Sequence, residues 1–154
     1  MPQAMMKSEE EGGVAPYLFP QGLAGFTSAH EFGFVYEGKG QLICMQCLDQ
    51  MEAAFILTQW DAERLGEVPE LSQEQLACLN LTREQLNSGE DVMWMLVLNP
   101  FADKQWVTAN LRAPIILNTE DRLGLQMIRY DTTLELRYPW MPQPSQPKLA
   151  AVKS

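Results

Sequence analysis

The stretch V-T-A-N-L-R-A-P-I-I-L-N, Val107 to Asn118, reads as a β-strand with a proline inside it. Proline has no N–H to give to a sheet ladder, so Pro114 implies an edge position or a bulge. Ala113 before it is pushed toward extended geometry. Asn110 and Asn118 are side chains that bond readily to nearby backbone, and they bracket the irregularity. An irregular edge is also a place where another chain adds a strand. Four polar residues, Thr119-Glu120-Asp121-Arg122, then make a link of hairpin length to a second strand, Leu123 to Tyr130.

Outward from this pair the pattern is mostly strand. Phe32, Phe34 and Tyr36 alternate with Gly33, Val35 and Glu37, a period of two. Gly38-Lys39-Gly40 supplies a turn, Leu42 to Leu48 a second strand, and Phe55 to Trp60 a third. Val92 to Leu98 is apolar on both faces, which predicts a central strand covered on each side, and Asn99-Pro100 ends it. A short strand around Leu134 to Arg137 is expected to close the structure. The exception is Pro69 to Asn87, where Leu71-Ser72-Gln73-Glu74-Gln75-Leu76 and Leu81-Thr82-Arg83-Glu84-Gln85-Leu86 repeat one design. Ser72 and Thr82 are N-caps, Gln75 and Gln85 reach back to the cap amide, and leucines occupy the staple positions. Two helices of one or two turns follow, too short to stand without packing on the sheet.

The chain has 154 residues, a 46% hydrophobic fraction and a net charge of −9, which suits one globular domain. That charge argues against direct binding to nucleic acid or an anionic membrane. Asp61 to Asp91 holds Asp61, Glu63, Glu67, Glu70, Glu74, Glu84, Glu90 and Asp91 against Arg64 and Arg83. This is a solvated helical face, or a surface that steers a basic partner. Residues 1–15 and the Pro-rich 141–154 read as flexible tails around a single domain, 16–140. Glu9, Glu10 and Glu11 stand where an export signal needs an apolar core. Three cysteines fit reduced thiols better than a disulfide framework. A cytoplasmic, monomeric protein is expected.

Little chemistry is visible. Cys44-Met45-Gln46-Cys47 matches C-x-x-C, but residues three apart on a strand point to opposite faces, so the sulfurs should not meet. Cys78 is alone, and no second pair completes a zinc set. His30 is the sole histidine, with no nucleophile setting beside it. Glycines form no phosphate-cradling loop. No catalytic residue, cofactor or metal is expected.

Phe19-Pro20-Gln21-Gly22-Leu23-Ala24-Gly25-Phe26 resembles the F-P-x-G-L-x-G-F opening of the flagellar assembly factor FliW family. Thr108-Ala109-Asn110-Leu111-Arg112-Ala113-Pro114-Ile115-Ile116-Leu117-Asn118 resembles that family's T-x-N-L-x-A-P-I-x-x-N segment. The likeness runs from about Tyr17 to Trp140. It implies a small, distorted antiparallel β-barrel, mainly β, with one or two short helices inserted around residues 70–88, and no enzymatic activity. It also implies two cytoplasmic partners, flagellin and the RNA-binding translational repressor CsrA, the latter antagonised allosterically when flagellin is absent. Asn110, Arg112, Pro114, Glu70, Glu74 and Glu84 are the expected binding residues. Phe19, Pro20, Gly22, Gly25, Phe26, Thr108, Leu111 and Asn118 are expected to shape the barrel. The alternatives are a flagellin-specific chaperone that leaves CsrA alone, and a thiol-dependent enzyme using Cys44 and Cys47.

Overall fold

The computed structural model describes residues 15–36, 42–50 and 52–144. The expected turn at Gly38 to Gly40 and most of both expected tails lie outside these residues. Nine strands and three short helices are present among them: β1 (Tyr17–Leu18), β2 (Glu31–Tyr36), β3 (Ile43–Cys47), β4 (Ala54–Gln59), α1 (Ala62–Leu65), α2 (Gln73–Leu79), α3 (Arg83–Ser88), β5 (Val92–Asn99), β6 (Trp106–Ala109), β7 (Ile115–Asn118), β8 (Leu123–Gln126) and β9 (Tyr138–Pro142).

The strands run β4-β3-β2-β1-β8-β7-β5, and β4 then pairs with β5 to close a seven-stranded barrel. Every pairing is antiparallel except β1 with β8, where Leu18 lies beside Leu123 in parallel. The expected distorted barrel is therefore present. Its closure comes from Ile56 to Gln59 pairing with Leu98 to Met95, not from a strand at Leu134 to Arg137. That segment forms no strand; the next strand is β9, four residues later in its start, and it pairs with β6 outside the barrel. It runs past Trp140 to Pro142 because β6 offers partners up to Trp106.

Val92 to Leu98 is the central strand its composition predicts, and the period of two assigns each side chain. Met93, Met95 and Val97 point into the barrel with Phe19, Phe32, Met45, Leu57 and Ile115. Trp94 points outward, under α2 and α3, with Leu71, Leu76, Leu79 and Ile116. Leu96 and Leu98 point outward too, into a third cluster with Val107, Leu111 and Trp140. A run apolar on both faces is thus one strand serving three cores.

Both capping boxes form. Ser72 accepts from the Gln75 amide at 3.1 Å and the Gln75 side chain accepts from the Ser72 amide at 2.8 Å; Thr82 and Gln85 repeat this at 3.0 and 2.9 Å. The staple leucines Leu71, Leu76 and Leu81 are buried, and Leu86 packs beside them. The two helices expected around 70–88 are joined by a third, α1, capped by Asp61.

Phe19 fixes the barrel's filling. Its ring is fully buried, meets Phe32 edge-on with centroids 5.0 Å apart, and occupies the space a side chain on Gly124 would need: a Cβ there would lie 2.3 Å from the ring. Gly22 turns the chain with φ +69°, and a Cβ would sit 2.5 Å from the Thr27 carbonyl oxygen. Gly25 has φ +84° with open space around it. Positive φ alone costs a non-glycine residue on the order of 1–2 kcal/mol, and the clash at Gly22 adds to that. Gly22→Ala should therefore lower the urea midpoint clearly more than Gly25→Ala, with unchanged slope. Equal midpoints would contradict the close approach to Thr27.

Candidate protein-binding surface

Val107 to Asn118 is two strands rather than one. β6 and β7 lie along the same side of β5, Ala109 opposite Leu98 and Ile115 opposite Met95. Between those pairs, the five residues Asn110 to Pro114 face only Leu96 and Val97, so the extra chain loops out. This is a large bulge, one of the two outcomes Pro114 implied. The edge outcome is excluded, since β7 lies between β5 and β8. Leu123 to Tyr130 is likewise shorter than expected, because β8 ends at Gln126 and the chain then follows the bulge.

The bulge is held from within. The Asn110 side chain accepts from the Arg112 amide at 2.9 Å, while the Asn110 amide still donates to Val97 across the sheet. Arg112 turns its guanidinium onto the carbonyls of Leu134 (2.8 Å) and Thr132 (3.1 Å). Its own carbonyl accepts from the Arg129 amide at 2.7 Å, and Leu111 donates to the Glu135 carbonyl at 3.0 Å. Pro114 is fully buried, and its carbonyl takes the Met127 amide at 2.9 Å, prolonging the β7–β8 ladder by one rung. Any part Pro114 plays in binding therefore runs through the shape of the bulge. Asn110 and Arg112 keep half-exposed positions, but the Asn110 side-chain oxygen and the Arg112 guanidinium are engaged in the same frame.

Asn118 holds the helices to the barrel. Its side chain is fully buried. The Nδ2 group donates to the Leu79 carbonyl at 2.7 Å, the end of α2, and Oδ1 accepts from the amides of Glu120 and Asp121 at 3.0 and 3.1 Å. Asn80, in left-handed conformation at the α2 C-cap, donates to Asp121 at 2.6 Å. Thr108, also buried, donates to the Asn99 carbonyl, and Leu111 packs near Trp140.

Glu70, Glu74 and Glu84 are all exposed on the helical face. Both arginines of the segment are committed to backbone oxygen rather than to carboxylates. Arg64 donates to the carbonyls of Pro139 and Trp140 and stacks 3.9 Å from the Trp140 ring; Arg83 donates to the Leu71 carbonyl. The face therefore keeps its negative charge. Arg64 was not legible as a strut in the sequence, since its aromatic partners lie some 75 positions away. A second exposed feature is Phe101, 91% accessible at the tip of the β5–β6 loop. Gln143 donates from Nε2 to Pro100, Asp103 and Trp106 carbonyls and holds that loop in place.

The thiols lie as strand alternation requires. Cys47 is inside the barrel and Cys44 on its outer side. Burial pushes the Cys47 thiol above its ordinary pKa, and its hydrogen bond to Asp49, 2.7 Å, adds to this. The same bond holds the Asp49 carboxyl below the usual range. A group with raised pKa stays protonated at neutral pH, so Cys47 is a poor nucleophile. Among the described residues no group of three His, Cys, Asp or Glu is arranged to hold a metal, and no helix is long and apolar enough to cross a membrane.

A closed barrel with helices over one outer face and a two-strand flap over another is the class these residues define. A family model described as "FliW protein" matches residues 5–140, and the chain belongs to the FliW family. It is 27% identical over 122 residues to the flagellar assembly factor FliW of Syntrophus aciditrophicus, covering 79% of this chain and 74% of that one. The corresponding protein of Leptospira biflexa is 30% identical over 120 residues, covering 77% and 76%; that of Geobacillus kaustophilus is 30% identical over 128 residues, covering 81% and 83%. A crystal structure of the flagellar assembly factor FliW superposes with a TM-score of 0.68 at 25% identity, covering 84% of this chain and 88% of that one.

Two outcomes follow from this geometry. Asn118→Ala removes one buried donor and one acceptor serving two amides, and should cost about 1–3 kcal/mol in urea unfolding, with faster amide exchange in α2. Unchanged exchange there would contradict the tie. In iodoacetamide labelling of the native protein at pH 8, Cys47 should react after Cys44 and Cys78; labelling of Cys47 first would contradict the assigned faces.

Proposed function

We propose that this protein is a non-enzymatic, cytoplasmic flagellar assembly factor that sequesters flagellin and, when free of it, binds the translational repressor CsrA and antagonises it allosterically, so that flagellin synthesis resumes. The observation that carries this reading is the family match across residues 5–140, which spans every element described except the last two residues of β9. The acidic helical face supports it, because an RNA-binding repressor carries basic surface and opposite charge speeds encounter. Glu70, Glu74 and Glu84 are assigned to contact. Asn110, Arg112 and Pro114 act by fixing the bulge and the 127–135 segment docked on it.

Tagged protein should retain both flagellin and CsrA from separate purified mixtures at low salt, each partner excluding the other. Retention of neither overturns the reading, and retention of flagellin alone reduces it to a flagellin chaperone. Reversing the charge at Glu70, Glu74 and Glu84 to Lys should slow CsrA association by roughly tenfold in stopped flow while changing dissociation less. Equal association rates for variant and parent would remove the steering role.

A further inference from the structure

One cleft in the outer wall has the composition of a receptor for a cationic side chain. It is an open cavity of about 300 Å³ lined by Gln59, Trp60, Val68, Val92, Met93 and Trp94, near the lower limit of ligand-sized pockets and suited to one long side chain. Its two indoles meet edge-on, centroids 6.2 Å apart. The Trp60 ring is held by a 2.9 Å hydrogen bond from Nε1 to the Gly66 carbonyl, and Trp94 is anchored in the core under the helices. These aromatic walls are therefore preformed. The Gln59 side chain is exposed and forms no hydrogen bond among the described residues.

Acidic residues adjoin the lining residues in the chain: Glu67 precedes Val68, Glu70 follows it across Pro69, and Glu90 and Asp91 lead directly into Val92. None of these four carboxylates has a hydrogen bond or ion pair among the described residues, and Arg64 and Arg83 are spent elsewhere. The protein already contains the chemistry in question, since the Arg64 guanidinium lies 3.9 Å from the Trp140 ring centroid and 5.6 Å from that of Tyr138. An aromatic face attracts a cation through its quadrupole, and arginine stacks best.

We infer that the Trp60–Trp94 cleft is a docking subsite for an arginine side chain on an extended segment of a partner protein. The methylenes would lie along Val68 and Val92, the guanidinium would face an indole, and the neighbouring carboxylates would supply the opposite charge. This rests on the reading of the acidic face as the partner-facing side, and it narrows that face to one pocket.

The full chain titrated at low salt with acetyl-Leu-Arg-Leu-amide gives the test, read from the indole N–H resonances of Trp60 and Trp94. Saturable shifts at both indoles are expected, with binding roughly fivefold weaker when citrulline replaces arginine. The double variant Glu67→Gln, Asp91→Asn should weaken the arginine peptide and leave the citrulline peptide unchanged. Equal binding of the two peptides, or no saturable shift at either indole, overturns the assignment. Retention of flagellin and CsrA beside a silent cleft removes this subsite alone. Peptide binding without retention of either protein keeps the subsite and removes the proposed partners.

Discussion

Everything in this fold depends on β5 having to satisfy three neighbours at once. Its one edge pairs with β4 and closes the barrel, while its other edge is shared between β7 and β6. Eight residues cannot serve both later strands from one uninterrupted partner. The five-residue bulge at Asn110 to Pro114 resolves this by letting the chain leave the barrel wall and re-enter it. Above the bulge the strand belongs to the flap with β9, and below it to the barrel. The side chains of β5 obey the same division, Trp94 going to the helices and Leu96 and Leu98 to the flap.

The most recognisable letters of the sequence are therefore architectural. Phe19 fills the space against Gly124, Gly22 takes a conformation and a proximity closed to other residues, Pro114 ends the bulge, and Asn118 ties α2 to the wall. Their polar atoms are spent inside the molecule. Carboxylates on the helical segment such as Glu70, Glu74 and Glu84 stay exposed, over a sheet face whose indoles are held by core packing. Structure and surface chemistry are carried by different stretches of the chain.

The strands and caps were legible because they are local. Alternation from Phe32 to Tyr36, the apolar run Val92 to Leu98, and the paired Ser72/Gln75 and Thr82/Gln85 boxes each need only neighbours in sequence. The separation of Cys44 from Cys47 followed from alternation alone. What could not be read depends on distant partners. The parallel rung between Leu18 and Leu123, the closure of β4 on β5, and Arg64 on Trp140 join residues far apart in the chain. Pro114 announced an irregularity, but whether it lay at an edge or in the interior depended on β8. The Trp60–Trp94 cleft was hidden for the same reason, its two indoles standing far apart in the chain.

On the proposed function, partners meet the acidic helical segment while the bulge gives shape. Amide exchange of the full chain, with and without saturating CsrA, tests it in a single comparison. Gained protection should concentrate in residues 61–91, with Asn110 to Asn118 unchanged because most of its amides are already bonded internally. Protection confined to Asn110 to Asn118, with 61–91 unaffected, would contradict the account.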